Sequence, residues 1–260
     1  MPTAQSGFFE WVFFFLKTYG NMFLQGAGIT LLIALTGTIT GFLIGLGVGY
    51  VRSIPCDKDD GALRYYFLKF VRGLMGVYIE VFRSTPMIVQ SMVIFYGLSS
   101  AFGINLPHLL AGYIIVSINT GAYLAEIVRG GIQSVDPGQK EAALAIGMTY
   151  GQTMIHVVLP QAIRNILPAL GNEFVVNIKD SSVLNVISVT ELFFQAKSAA
   201  GTFYKYFEVY FIIAVIYLVL TFTITRVLCF LEKKMDGPNN YMIHGSQSDS
   251  KAAITVRGKE

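Results

Sequence analysis

The sequence predicts an all-α membrane protein with five transmembrane helices, the N-terminus outside and the C-terminus inside. Three observations carry that expectation. The 260-residue chain is 53% hydrophobic and only 13% charged, with a mean hydropathy of +0.57, whereas soluble domains carry about a quarter charged residues. Several stretches reach the roughly 20 apolar residues that a helix needs to cross the hydrocarbon. Finally, the 19 Lys and Arg are distributed unevenly between those stretches.

Taken in chain order, residues 8–19 are aromatic-rich and include Glu10 and Lys17. That pattern suits a helix lying at the interface, so residues 1–29 are expected to form an extracytoplasmic interfacial segment. Spans are expected at about 30–51, 86–103, 109–128, 165–188 and 207–228, within a membrane domain of residues 30–231. Residues 62–82 are apolar too, but Arg64, Lys69, Arg72 and Glu80 suit a helix on the cytoplasmic surface that leads into the second span. Starting the second span there is the alternative. The 165–188 stretch is long enough but unusually polar. Residues 232–260, with Gly237-Pro238-Asn239-Asn240 and no apolar period, read as a flexible cytoplasmic tail.

Lys and Arg collect on the cytoplasmic side of a membrane. With the C-terminus inside, segments 52–85, 129–164 and 226–260 hold 6, 3 and 6 basic residues, while segments 1–29, 104–108 and 189–206 hold 1, 0 and 2. Lys179 lies within the polar fourth stretch. If that stretch did not cross, the basic tail would be stranded outside.

Several chemistries are excluded or left without support. A net charge of +3 does not suit a nucleic-acid binder. Cys56 and Cys229 form neither a metal spacing nor a disulfide framework. No basic, cleavable leader precedes the first span, and no inverted repeat is visible. His108, His156 and His244 are scattered, which favours structural or solvent-exposed roles. No phosphate-binding GxxxxGK[S/T] loop, nucleophile triad or metal cluster occurs. The sequence therefore predicts no catalytic residue, no metal and no cofactor of its own; the chain is not expected to be an enzyme.

Gly37, Gly41, Gly45 and Gly49 recur every fourth residue on one face of the first span, which lets a neighbouring backbone approach closely. A direct part in transport is the alternative. Between the third and fourth spans, Asp136 can cap a helix that Pro137 begins, with Gln139 at the capping-box position. The run of good helix formers through Ala145 can end at Gly147. This predicts a helix of about ten residues, too short to span, in which Ala142, Ala143 and Ala145 offer a compact surface. Ionisable groups inside a bilayer usually face a cavity or a partner. Glu173, Asn177 and Asp180 share a face of the fourth span, and Asn119, Tyr123 and Glu126 share one on the third. Both stripes are candidates for a wet path that attracts a cationic or zwitterionic solute. The alternatives are interhelical hydrogen bonding, with Lys179 neutralising a carboxylate, and for Glu126 a pairing with Arg129.

Glu141-Ala142-Ala143, three residues, Gly147, nine residues, Val157, one residue, Leu159-Pro160 resembles the EAA loop by which permease subunits of ABC importers grip their ATPase. The family has Ile where this chain has Val157. Glu80, Phe82, Arg83, Ser84, Thr85 and Pro86 resemble the E-x-F-R-G/S-T-P signature of the polar amino-acid branch (histidine, glutamine, glutamate and arginine type), where Gly is commoner than Ser84. Residues 125–132 and 171–174 also look like that branch, so the likeness runs from about residue 22 to 231. The resemblance implies a permease subunit in the bacterial cytoplasmic (inner) membrane, with a cytoplasmic coupling helix. Glu141, Ala142, Ala143, Gly147, Leu159 and Pro160 would make the ATPase contact. It also implies partners: ABC ATPase subunits that hold the ATP and magnesium, a second permease subunit (identical or similar), an extracytoplasmic solute-binding protein, and an amino-acid solute. Two rival classes stay open at this stage, an ATP-independent secondary transporter or channel and a non-transporting membrane scaffold or sensor.

Overall fold

The computed structural model describes Pro2, residues 6–55 and residues 61–236. Among the described residues the chain is helical throughout, with no strand. The helices are α1 (Phe8–Ser53), α2 (Ala62–Ser84), α3 (Met87–Phe102), α4 (His108–Gln133) and α5 (Pro137–Ala145). A single turn, α6 (Tyr150–Thr153), runs through a π-helical segment, Met154–Val158, into α7 (Leu159–Asp180). A 3-10 segment, Ser181–Ile187, leads to α8 (Leu192–Phe203) and α9 (Tyr206–Asp236). Cys56, His244 and residues 237–260 of the expected tail lie outside the described residues.

The first departure from expectation is α1. No helix boundary falls near residue 30: the segment expected to lie apart at the interface is, from Phe8 onward, part of one 46-residue helix. At 1.5 Å per residue it is roughly 70 Å long, more than twice the hydrocarbon thickness. No Pro interrupts it, and its first turns are held by packing rather than by propensity. Trp11, Phe15 and Phe23 bury against Ala196, Ala199 and Ala200 of α8 and Val209, Ile212 and Ile213 of α9.

The glycine face of α1 meets α4. A Cβ at Gly37 would lie 2.5 Å from Val116 Cγ1, one at Gly41 2.8 Å from Thr120 Cβ, one at Gly45 2.8 Å from Leu124 Cβ, and one at Gly49 2.6 Å from Val128 Cγ1. Both sets of positions rise together in steps of four, so α1 and α4 run parallel. Residues between them must therefore carry the chain back to the starting end. They do so as a broken unit: α2 and α3 meet at a 115° bend. Pro86 causes it, since proline donates no N–H and pushes the preceding residue out of helical geometry. Thr85 is accordingly extended, at φ −116° and ψ 145°.

The fourth stretch also differs from the expected 165–188. Its helix starts earlier, at Leu159, tolerates Pro168, and gives way after Asp180 to the tighter 3-10 segment. Thr120 of α4 pairs with Asn177, and Gly131 packs on Ile166, so α7 runs antiparallel to α4. The Phe8 ring centre lies 5.3 Å from those of Phe207 and Phe211, tilted to the first and edge-on to the second, so α9 starts where α1 starts and runs beside it. Residues 108–133, 8–53 and 206–234 are long and apolar enough to cross a membrane, and α2 with α3 qualify together as one bent unit. By composition α7 does not qualify, because of the polar face described next. His108 has the structural role anticipated: its Nδ1 lies 2.8 Å from Ile187 O.

Candidate functional site

Two places gather the residues singled out by the sequence. The first is a cleft of about 240 Å³ between the α2–α3 bend, α4 and α7. Asn119, Tyr123, Glu173, Asn177 and Asp180 all line it, joined by Thr85, Pro86, Met87 and Val176. The two stripes thus share one site, but their members do different things. Asn177 is buried; its Nδ2 donates to Thr38 Oγ1 at 2.8 Å, and its Oδ1 accepts from Thr120 Oγ1 at 3.1 Å, tying α7 to α1 and α4. Asn119 is buried too, and its Nδ2 donates to Gln90 Oε1 at 2.8 Å. Gln90 Nε2 in turn donates to Phe82 O at 2.9 Å and to Thr85 O at 2.8 Å, carbonyls left without helical partners where α2 stops at Pro86. These amides are the back wall of the cleft and pin its bend. Glu173 is half-buried, Asp180 and Tyr123 are exposed, and no ion pair among the described residues engages either carboxylate. The Arg83 guanidinium lies 5.6 Å from the centre of the Tyr123 ring.

Glu126 is the one stripe residue that lies outside the cleft. It pairs with Arg129, at 2.8 Å to Nη2 and 3.0 Å to Nε, and with Arg52 at the end of α1. The alternative pairing with Arg129 is therefore present, and a glutamate held by two guanidinium groups lies away from the cleft. Its correction has a simple geometric cause: on α4, position 126 has moved a turn beyond Tyr123 towards the end where α1 also finishes.

The second place is α5 and its flanks. Asp136 Oδ1 accepts from Gly138 N at 2.8 Å and Pro137 occupies the first turn. The helix is nine residues long and closes through a Schellman motif: Met148 N donates to Ala143 O and Gly147 N to Leu144 O, with Gly147 at φ +89°. The reciprocal capping box expected at Gln139 forms instead one element later, between Thr149 and Gln152. One correction concerns the alanine surface. Ala143 is buried against its own chain, so the exposed residues are Glu141, Ala142, Leu144, Ala145 and Gly147 with Ile146, which is 80% exposed. Leu159 packs against the cluster of Val128, Val135, Met154 and Val158, while Pro160 sits exposed in the first turn of α7. Burial raises the Tyr150 phenol above its ordinary range, and its hydroxyl donates to Ser53 O at 2.8 Å, fastening this unit to the end of α1.

Against known proteins, residues 61–237 match the family described as binding-protein-dependent transport system inner membrane component. The chain belongs to this family. The probable glutamine ABC transporter permease protein of Bacillus subtilis (strain 168) is 35% identical over 216 residues, covering 83% of this chain and 94% of the relative. The glutamine transport system permease protein of Escherichia coli (strain K12) is 35% identical over 215 residues, covering 82% and 93%. The arginine transport system permease protein of B. subtilis is 35% identical over 212 residues, covering 82% and 91%. A solved structure of an amino acid ABC transporter with histidines superposes with a TM-score of 0.75 at 39% identity, covering 89% of this chain and all of that one. The inward-facing MetNI methionine ABC transporter, at 20% identity and a TM-score of 0.66, shares the fold.

Within this permease fold, some cleft residues were out of reach of the sequence alone. Thr85 and Pro86 stood out there only as part of the signature and Met87 not at all, because the 115° bend that turns them towards Glu173 is a tertiary feature. Gln90, Thr38 and Thr120, which bond the amides of the cleft from behind, each stand beside other polar residues (Ser91; Thr36 and Thr40; Asn119), so no local spacing singled them out.

Proposed function

We propose that this protein is the membrane-spanning permease subunit of an ATP-driven importer for polar amino acids in the bacterial inner membrane. The observation that carries the proposal is the pairing of two sites in one family member. An outward-facing, fully capped α5 sits at one end of the bundle, and a carboxylate-bearing cleft opens between the helices that α5 is fastened to. Relatives named for glutamine and arginine transport support the substrate class.

Five crossings fit the helix directions: α1, α4 and α9 run one way, α7 and the α2–α3 unit return. The 15-to-3 excess of basic residues supports an α5 end that lies inside. There α5 would seat on a separate ATPase, which holds the ATP and magnesium. A second permease subunit would complete the path, and an extracytoplasmic binding protein would deliver the solute. Glu173 and Asp180 would meet its ammonium group. ATP-driven closure of the motor moves α5, and α5 shifts the population between inside-open and outside-open bundles.

The test is uptake of labelled glutamine and arginine into vesicles carrying the purified subunits, with and without enclosed ATP. Uptake that needs ATP, the ATPase and the binding protein is expected. Uptake driven by an ion gradient alone would instead identify a secondary transporter, and none under any condition a scaffold.

A further inference from the structure

A second cleft, of about 320 Å³, lies behind α5, where α1 and α4 end. Arg52, Arg72, Arg129, Lys140, Asp136 and Tyr150 contribute to its walls. Among the described residues the cations there outnumber the carboxylates. Arg52 and Arg129 share the single carboxylate of Glu126. Arg72 Nη2 donates to the Arg52 backbone carbonyl at 2.6 Å, a neutral acceptor. Lys140 Nζ rests 5.1 Å from the Tyr150 ring centre. Asp136 already spends Oδ1 on capping α5. Among the described residues, four cationic groups from α1, α2, α4 and α5 thus surround one cavity against two carboxylates. Like charges gathered this way repel, and an anion entering between them relieves the repulsion while receiving charge-assisted hydrogen bonds. Guanidinium groups suit tetrahedral oxyanions because their donors are arranged as a planar fork.

We propose that this cleft binds a phosphate-type anion, held by Arg52, Arg72 and Lys140 with Arg129 behind them. The occupant is either the headgroup of an acidic phospholipid or a soluble phosphate compound; both offer the same oxygens. Because Lys140 belongs to α5 while Arg52 and Arg72 belong to α1 and α2, the anion would tie α5 to the ends of the spans. That consequence for transport rests on α5 being the coupling element; the binding itself does not.

The full chain, purified without an ATPase so that no nucleotide site competes, serves for both arms of the experiment at low salt in neutral detergent. In one arm, inorganic pyrophosphate is titrated calorimetrically into the wild type, Arg72→Gln and Lys140→Gln. In the other, native mass spectrometry counts phosphatidylglycerol and phosphatidylcholine retained by the same proteins. Pyrophosphate affinity that falls roughly tenfold in a variant, the scale of one charge-assisted hydrogen bond, supports a soluble occupant. Phosphatidylglycerol retained over phosphatidylcholine by the wild type, and lost from the variants, supports a lipid headgroup. Wild type and variants behaving alike in both arms overturns the proposal. Lys140→Gln keeps the test decisive should Arg72→Gln fold poorly, since Lys140 leaves only a contact with Tyr150.

Discussion

At the residue scale, the glycines of α1 separate cleanly by what surrounds them. A Cβ at Gly45 would press on Leu124 Cβ and on the backbone of α4, at 2.8 to 3.0 Å, whereas Gly47 has nothing within 4 Å. Backbone cannot move aside as a flexible side chain can, so Gly45→Ala is expected to cost about 1–3 kcal/mol in overpacking. Gly47→Ala should be neutral or stabilising, because Ala is the better helix former. Thermal unfolding of the two variants in one detergent checks this, and equal midpoints would sink the close α1–α4 contact. The cleft residues divide in the same spirit. Glu173→Gln should keep yield and melting temperature while weakening solute dependence, by roughly ten- to a hundred-fold for one lost charge-assisted hydrogen bond. Asn177→Ala, which breaks bonds to Thr38 and Thr120, should do the reverse and lower stability by about 0.6–1.7 kcal/mol. Solute-stimulated ATPase measured per intact complex distinguishes the two outcomes. A Glu173→Gln protein with unchanged solute dependence would remove that carboxylate from the path.

At the scale of elements, α5 is built so that its ends are fixed and its outer face is free. Asp136 and the Schellman turn at Gly147 hold the ends, Ala143 anchors the inner side, and Ile146 is left 80% exposed. An exposed isoleucine beside Glu141 and Ala142 is unremarkable alone, but it gains meaning on a helix this short and this well capped. Ile146→Asp and Glu141→Lys should therefore leave the melting temperature of the permease unchanged. Both should reduce co-purification of the ATPase, since a charge introduced at a packed contact is desolvated without a partner. Normal ATPase recovery with normal uptake from both variants would reject α5 as the docking element. Gly147→Ala works differently: it must adopt φ near +89°, which costs a residue with a side chain about 1–2 kcal/mol, and should loosen the end of α5 in the permease itself.

For the whole molecule, the direction of each helix makes a topological statement. Parallel α1, α4 and α9 with an antiparallel α7 demand that Ser198, on α8, and Gln139, on α5, face opposite compartments. In a protein whose Cys56 and Cys229 have been replaced, Ser198→Cys should react with an impermeant reagent from outside and Gln139→Cys only from inside. Both positions are exposed in the chain. Labelling of both from the same side would refute the five-crossing arrangement.

The all-helical class, apolar helices over 30–51, 109–128 and 207–228, the glycine stripe, the Asp136–Gly147 helix and the two polar stripes were all legible in the sequence. Each is written in a local period or in a residue whose backbone chemistry admits few conformations: spacing of three or four along one helix face, a proline at a helix start, a glycine at its end. Tertiary structure decided the rest. It made residues 8–53 one rod, because aromatic packing on α8 and α9 holds turns that composition alone would leave at the interface. It brought the stripes of α4 and α7 to one cleft and withdrew Glu126 to Arg52, a residue 74 positions away. It also turned Ala143 inward. A period along one helix fixes which residues share a face, but which neighbour that face meets depends on packing between segments far apart in the chain, where no local spacing carries the information.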